Sequence, residues 1–327
     1  MKILKKAAAV LLSAVLLCGC SSSKPSTPNL NISSPSAGED CITPPFWVVE
    51  DGSTGAQIFL LGSMHAGKPG TGYPEYVLDA LQNSSWVAPE MDTVAFGGDF
   101  LLQQKCVGYL MLNGTTMPEL LGSDYDRTAD YFRSKGLLQP GMDSMIPFYW
   151  ASCASALVIE QAGLDSNYGT ETVLLELAHS KGKEIREIEG GESQYKMMSN
   201  IPMSVQLQTL AECVGDEKIL VQAASSAALY DAWSSFDEEK LLSLTAFDTS
   251  IMDSPEDWQA YYDLMYTDRQ KVMSEFVIDS LKKGEHGFVF VGAMHYYAEP
   301  SILTQLSDAG YTVTPIRGDV REEYAAA

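Results

Sequence analysis

Residues 58–65 read Ile-Phe-Leu-Leu-Gly-Ser-Met-His, and residues 288–295 read Phe-Val-Phe-Val-Gly-Ala-Met-His. Each segment predicts a buried strand, a glycine at which the backbone can turn sharply, and a histidine just past the strand end. Ligands of open α/β sheets bind at the carboxyl ends of the strands. The chain has only 4 histidines. We therefore expect His65 and His295, from distant parts of the chain, to meet in one site at the sheet edge.

Two imidazoles in one place suggest a metal site. A catalytic divalent ion usually takes a third protein ligand, and the best candidate is Glu90, which ends the next predicted strand, with Asp92 close behind. Glu90 is equally suited to act as a general base, and the sequence does not separate these roles. Arg269, on a long predicted helix, would orient a substrate carboxylate or stabilise an oxyanion.

The predicted strands lie at the two ends of the chain, and predicted helices fill the middle. A hairpin is predicted at 46–50 and 57–61, where Asp51-Gly52 gives the turn signal. Further predicted strands cover 85–91, 184–188, 286–291 and 311–316. Predicted helices cover 74–82, 100–111, 124–134, 146–162, 170–180, 203–213, 216–233, 238–246, 256–282 and 299–309. The fold class is therefore α/β, with a central mixed sheet built from N- and C-terminal segments and a large helical middle section.

Two of these helices carry more detailed expectations. The helix at 100–111 is apolar enough to be largely buried. Thr170 is expected to cap the helix at 170–180, with Glu171 in its first turn favouring the helix dipole.

The N-terminus carries export signals. Three lysines precede an apolar run at 7–17, which fits a secretory signal and is short for a membrane-spanning helix. The run ends in Leu17-Cys18-Gly19-Cys20, which resembles a bacterial lipobox. We predict a signal at 1–20, lipidation of Cys20, a flexible tether at 21–40 and one folded domain at 41–320. The protein is thus expected on the bacterial cell surface, anchored to the membrane by its N-terminal lipid.

The charge balance and the cysteines restrict the possible partners. The chain has 21 basic and 43 acidic residues, which argues against nucleic acid as a partner. The four cysteines after Cys20 contain no CxxC pair, so a cysteine-ligated metal site is not expected. Export permits disulfides among them, and the pairing stays open: Cys41, Cys106, Cys153 and Cys213.

The ordered set of motifs resembles the TraB/PrgY/GumN family, which includes the Tiki proteases and belongs to a wider group with erythromycin esterase and ChaN. The family pattern is a first G-x-x-H, a strand-ending glutamate, a late arginine and a second G-x-x-H. These features fall on 62–65, Glu90, Arg269 and 292–295. The segment Tyr-Gly-Thr-Glu at 168–171 and the set Ile188, Glu189 and Gln194 also look similar, and the resemblance covers about 46–317. The chain departs from the family at Pro89, unusual in a central strand, and at Gln270, where asparagine is frequent.

The resemblance implies a compact α/β fold and metal-dependent peptidase activity with manganese or cobalt. We therefore predict a metal-dependent hydrolase of peptide or protein substrates. His65 and His295 would bind a divalent ion (manganese, cobalt or zinc), Glu90 would act as ligand or base, and Arg269 would act on the substrate. The alternatives are a non-catalytic module that binds a peptide or a haem-type ligand, and an esterase-like hydrolase of non-peptide substrates.

Overall fold

The computed structural model describes residues 41–317. The predicted signal at 1–20, the lipidation site Cys20, the tether at 21–40 and the last residues of the predicted domain lie outside this part of the chain. Within it, no helix combines the length and the apolar character needed to cross a membrane.

Six strands form one mixed sheet in the order β4-β3-β5-β2-β1-β6. They are β1 (Phe46–Asp51), β2 (Ala56–Ser63), β3 (Trp86–Pro89), β4 (Glu184–Ile185), β5 (His286–Gly292) and β6 (Thr312–Pro315). Strand β1 is antiparallel to both of its neighbours, and the other pairs are parallel. The predicted α/β class and the joining of both chain ends in one sheet are confirmed, although β4 has only two residues instead of five.

The register of the three central strands positions the predicted site. Ser63 at the end of β2 pairs with Gly292 at the end of β5. Pro89 at the end of β3 pairs with Phe290 on the other side of β5. Because Pro89 is the last residue of its strand, its missing N–H donor does not interrupt the sheet interior. The residues that follow β2, β3 and β5 therefore leave the same edge of the sheet.

The helices occupy most of the chain between β3 and β5, as predicted. In chain order they are α1 (Glu75–Asn83), α2 (Thr93–Gly98), α3 (Phe100–Tyr109), α4 (Met117–Leu121), α5 (Tyr125–Ser134), α6 (Pro147–Gln161), α7 (Thr170–Ser180), α8 (Gly191–Ser199), α9 (Met203–Glu212), α10 (Asp216–Ser234), α11 (Glu238–Thr245), α12 (Pro255–Tyr262), α13 (Asp268–Lys282) and α14 (Ile302–Asp308). A π-helical turn, Asp263–Thr267, joins α12 to α13. Helices α2, α4 and α8 were not predicted.

Two local expectations are wrong. Helix α3 is not largely buried, since Phe100 is 68% exposed and Leu101 is 77% exposed. This helix buries only one narrow side, at Cys106. The prediction from its apolar composition therefore overestimated its burial. Thr170 does not cap α7, because the cap is Gly169. The Thr170 hydroxyl instead accepts a hydrogen bond from the backbone N–H of Met64, just past β2.

The buried apolar residues form two main clusters. One surrounds the sheet and includes β1, β2, β3 and β5 together with α13. The other lies within the helical middle section and includes α6, α9 and the π-helical turn. The edge where β2, β3 and β5 end lies at the boundary between the two clusters, because residues of both line the cavity described next.

Candidate active site

A cavity opens at the carboxyl ends of β2, β3 and β5. Its empty volume, counted out to its open mouth and including open solvent, is about 740 Å³. The lining includes all four residues that the sequence singled out: His65, Glu90, Arg269 and His295. The structure therefore brings together the two G-x-M-H turns, the strand-ending glutamate and the late arginine.

The His65 imidazole is oriented by the first turn of α7. Its Nδ1 lies 3.0 Å from Oε1 of Glu171, and the same oxygen accepts a hydrogen bond from the Ser63 hydroxyl. Burial disfavours the charged imidazole, but the Glu171 carboxylate outweighs burial and raises the pKa of His65. Because Nδ1 faces Glu171, Nε2 is the ring nitrogen left for a ligand, as in many metal-binding histidines.

The turn that carries His65 is held against α7 by backbone contacts. The N–H of Thr170 donates to the Met64 carbonyl at 2.8 Å, and Met64 N–H donates to the Thr170 hydroxyl at 3.0 Å. At Gly169 a Cβ atom would lie only 2.4 Å from the carbonyl oxygen of His65. A glycine is therefore required where the two segments meet.

Glu90 is held through both carboxylate oxygens. Its Oε2 accepts hydrogen bonds from Gln194 Nε2 at 3.0 Å and from Arg269 Nη2 at 2.5 Å. Its Oε1 accepts from the backbone N–H of Gly292 at 2.7 Å, the only donor to this oxygen among residues 41–317. A carboxylate oxygen has two lone pairs, so Oε1 can accept one more proton or ligand. This oxygen lies 3.7 Å from Nε2 of His295.

Arg269 is fixed by a second carboxylate, Glu189, which follows β4. Nε and Nη2 of Arg269 donate to the two oxygens of Glu189 at 2.7 and 2.8 Å, and Nη1 donates to the carbonyl of Met265 at 3.3 Å. Burial disfavours the charge, but Glu189 and Glu90 outweigh it and raise the pKa of the guanidinium. Arg269 thus anchors Glu90, and little of its donor capacity is left for a substrate.

His295 is the most enclosed member of the site, with 3% of its surface exposed. Burial, reinforced by the positive charge of Arg269, holds the pKa of His295 well below its usual value. The imidazole is therefore neutral near pH 7. Its Nδ1 is buried and has no hydrogen-bond partner in the described part of the chain.

These residues fit a divalent ion in their chemistry. A neutral imidazole and a second imidazole oriented by a carboxylate are typical ligands of such ions. The spare lone pair of Glu90 Oε1 beside His295 offers an oxygen donor. Between Cys41 and Arg317, however, no three His, Cys, Asp or Glu side chains are arranged around one point as a ligand set. The donors are present at one cavity, and the assignment of a metal stays a prediction.

Several residues near the motifs lie outside the cavity lining. Asp92 caps α2 and contacts Nε2 of His179 at 2.8 Å, so it is not a third donor beside Glu90. Tyr296 packs on Trp47 instead of lining the cavity, whereas Tyr297 contributes to the lining.

Three residues of the site could not be assigned from spacing alone. Glu171 was expected only to favour the dipole of α7, and Glu189 and Gln194 entered only through the family resemblance. All three come from the helical middle section and contact residues 80 or more positions away, except for the local pair of Gln194 and Glu189. The family-like segments at 168–171 and 188–194 were the available signal.

A comparison with known families assigns the chain to one of them. The model of the TraB/PrgY/gumN family matches residues 45–315, most of the chain. The chain belongs to the TraB/PrgY/gumN family. The matched region contains all six strands of the sheet and every residue of the cavity lining. No curated protein and no solved structure matches the chain.

Proposed function

We propose that this member of the TraB/PrgY/gumN family is a metal-dependent hydrolase that cleaves peptide bonds. The observation that carries the proposal is the set of donors at the cavity. His65 is oriented by Glu171, His295 is neutral, and Nε2 of His295 lies beside Glu90 Oε1. The family resemblance adds the expectation of a peptidase that prefers manganese or cobalt.

His65 and His295 would hold the divalent ion. When bound, such an ion supplies Lewis acidity toward the scissile carbonyl and lowers the pKa of water. Glu90 either completes the ligand set or serves as the general base, and its environment favours the base. With Oε2 occupied by Arg269 and Gln194, Oε1 takes a proton from the attacking water and delivers it to the leaving amine.

The contacts around Glu90 keep this carboxylate in one orientation. The Gly292 N–H fixes Oε1, and the side chains on Oε2 fix the plane of the group. General acid–base catalysis contributes about 10²–10⁴-fold when the group is positioned within hydrogen-bonding reach. Arg269, with most of its donors already used, acts through Glu90 and not as the main substrate clamp.

The test is cleavage of a peptide library by the purified full-length protein with added manganese or cobalt and with EDTA. Divalent-dependent cleavage is expected in the wild type and loss of it in Glu90→Gln and His295→Ala. His286→Ala is the matched control, because His286 is exposed at the start of β5. Peptide binding without turnover would favour the binding-module alternative. Cleavage of esters but not peptides would favour the esterase alternative.

We also propose that the protein is a cell-surface lipoprotein anchored through Cys20. The support is the basic and apolar N-terminal sequence that ends in Leu17-Cys18-Gly19-Cys20. A small residue precedes Cys20, whereas Leu17 precedes Cys18, so Cys18→Ala serves as a matched control. Labelled palmitate should be incorporated into the wild type and Cys18→Ala but not into Cys20→Ala. Incorporation into Cys20→Ala would contradict the assignment.

A further inference from the structure

Methionine is the commonest residue in the cavity lining. Two of the thioethers come from the G-x-M-H turns themselves, so each turn brings a methionine and the adjacent histidine to the cavity. Two more come from α8, and one comes from the π-helical turn before α13. The five residues are Met64, Met197, Met198, Met265 and Met294. The proposed hydrolysis makes no use of them.

The charged groups of the lining are concentrated in one place. Glu90 and Arg269 are the only carboxylate and guanidinium among the described lining residues, no lysine or aspartate lines the cavity, and the two charges pair with each other. Two other polar side chains of the lining already donate hydrogen bonds within the protein. Ser63 donates to Glu171, and Thr245 donates to the carbonyl of Leu241. A charged substrate side chain would therefore lose its hydration without gaining a lysine or aspartate as an oppositely charged partner.

The rest of the lining is suited to an apolar group. Leu229 and Leu241 line the cavity together with the five methionines. Methionine side chains are unbranched and polarisable, and they adapt to apolar groups of different shapes. Met197 is only half-buried, so it can move to follow a ligand, whereas Met198 and Met265 are buried and form a fixed surface.

We propose that this methionine-rich lining receives a large apolar side chain of the substrate, such as that of leucine, methionine or phenylalanine. The neighbouring peptide bond then lies next to His65, His295 and Glu90. The position of the cleaved bond rests on the proposed hydrolase function, but the apolar selectivity of the cavity does not. The substrate class is thus an apolar peptide segment and not a charged one.

The test measures binding separately from cleavage. The probe is a fluorescein-labelled pentapeptide of alanines with a central leucine, compared with the same peptide carrying central aspartate or lysine. Kd is measured by fluorescence anisotropy with the full-length protein in EDTA and again with manganese. The leucine peptide should bind at least about tenfold more tightly, since a single methylene group in an apolar pocket is already worth about 10–200-fold.

A pair of variants tests the role of the methionine-rich lining. Met197→Gln keeps the length of the side chain but makes it polar, and it should reduce the preference for leucine severalfold. Met203→Gln is the control, because Met203 is 38% exposed on α9 and lies outside the cavity lining. It should leave the preference unchanged.

Equal affinities, tighter binding of a charged peptide, or no binding of the leucine peptide would overturn the inference. Selective binding without cleavage would refute the hydrolase function and leave the inference standing. Cleavage of all three peptides with equal kcat/KM and equal Kd would support the hydrolase function and refute the apolar selectivity.

Discussion

The guanidinium of Arg269 and the carboxylate of Glu189 are joined by two parallel hydrogen bonds, from Nε to Oε1 at 2.7 Å and from Nη2 to Oε2 at 2.8 Å. Their side chains are only 11% and 9% exposed. Such bidentate pairs fix orientation as well as charge. Because Nη2 also donates to Glu90, Glu189 determines the position from which Arg269 holds the candidate catalytic carboxylate.

Glu189→Gln should destabilise the protein, because it leaves the buried charge of Arg269 with one carboxylate instead of two. Removing one partner of a buried ion pair costs about 3–5 kcal/mol. Since Glu90 remains, we expect about 2 kcal/mol, measured by urea denaturation. Glu184→Gln is the control, because its ion pair with Arg186 is exposed and should matter little. Equal effects of the two substitutions would contradict this account.

Gly169→Ala should displace the turn that carries His65. The new Cβ would lie 2.4 Å from the His65 carbonyl oxygen. The backbone of one of the two segments must therefore move or remain strained. We expect a loss of about 2 kcal/mol in the free energy of unfolding, within the roughly 0.5–3 kcal/mol of most destabilising mutations. Peptide cleavage should fall by more than the decrease in the fraction of folded protein explains, because His65 moves.

Gly108→Ala is the matched control for that substitution. Gly108 lies in α3, and a Cβ there meets no atom within 4 Å. Alanine in a helix should be favourable by about 0.5–1 kcal/mol relative to glycine. If Gly169→Ala were as well tolerated as Gly108→Ala, the close approach of the two segments would not constrain the site.

The sequence predicted the part of the site that follows local patterns. Apolar runs ending in Gly62 and Gly292 specify buried strands and turns, and parallel pairing of β2 with β5 brings their histidines to one edge. Glu90 could be added because it ends the next predicted strand. All of these depend on the alternation of strands and turns along the chain, which a single sequence displays.

The contacts of the helical middle section could not be predicted in the same way. Glu171 reaches His65 across 106 positions and Glu189 reaches Arg269 across 80. Such contacts depend on how the helices pack, which no local period encodes. The same limit explains α3, where apolar composition predicted burial but Phe100 and Leu101 have no neighbouring element to cover them among the described residues.

The pair of His65 and Glu171 should make stability depend on pH at both ends of a window. The pKa of Glu171 is lowered from 4.5, since His65 and the Ser63 hydroxyl outweigh the opposing effect of burial. Its contribution is therefore present above pH 4.5 and is lost as pH falls through the lowered pKa. The pKa of His65 is raised from 6.5. Its contribution is complete below pH 6.5 and is lost as pH rises through the raised pKa.

The measurement is the difference in free energy of unfolding between wild type and Glu171→Gln in EDTA across this range. The difference should be largest between pH 4.5 and 6.5 and should shrink on both sides. His286→Gln is the control substitution, because His286 is exposed at the start of β5 and lies outside the cavity lining. A difference for Glu171→Gln that does not vary with pH would show that the pair is not ionised in the folded protein.

Manganese or cobalt should stabilise the folded protein through His295. A ligand that binds only the folded state stabilises it by about 2.7 kcal/mol at one hundred times its Kd, and the neutral His295 is ready to bind without losing a proton. Thermal unfolding with the ion and with EDTA should therefore show a higher Tm with the ion in the wild type and in His286→Ala. His295→Ala should show no such increase, because the buried ligand is gone. An equal increase in His295→Ala would place the ion elsewhere on the protein and remove the metal from the proposed mechanism.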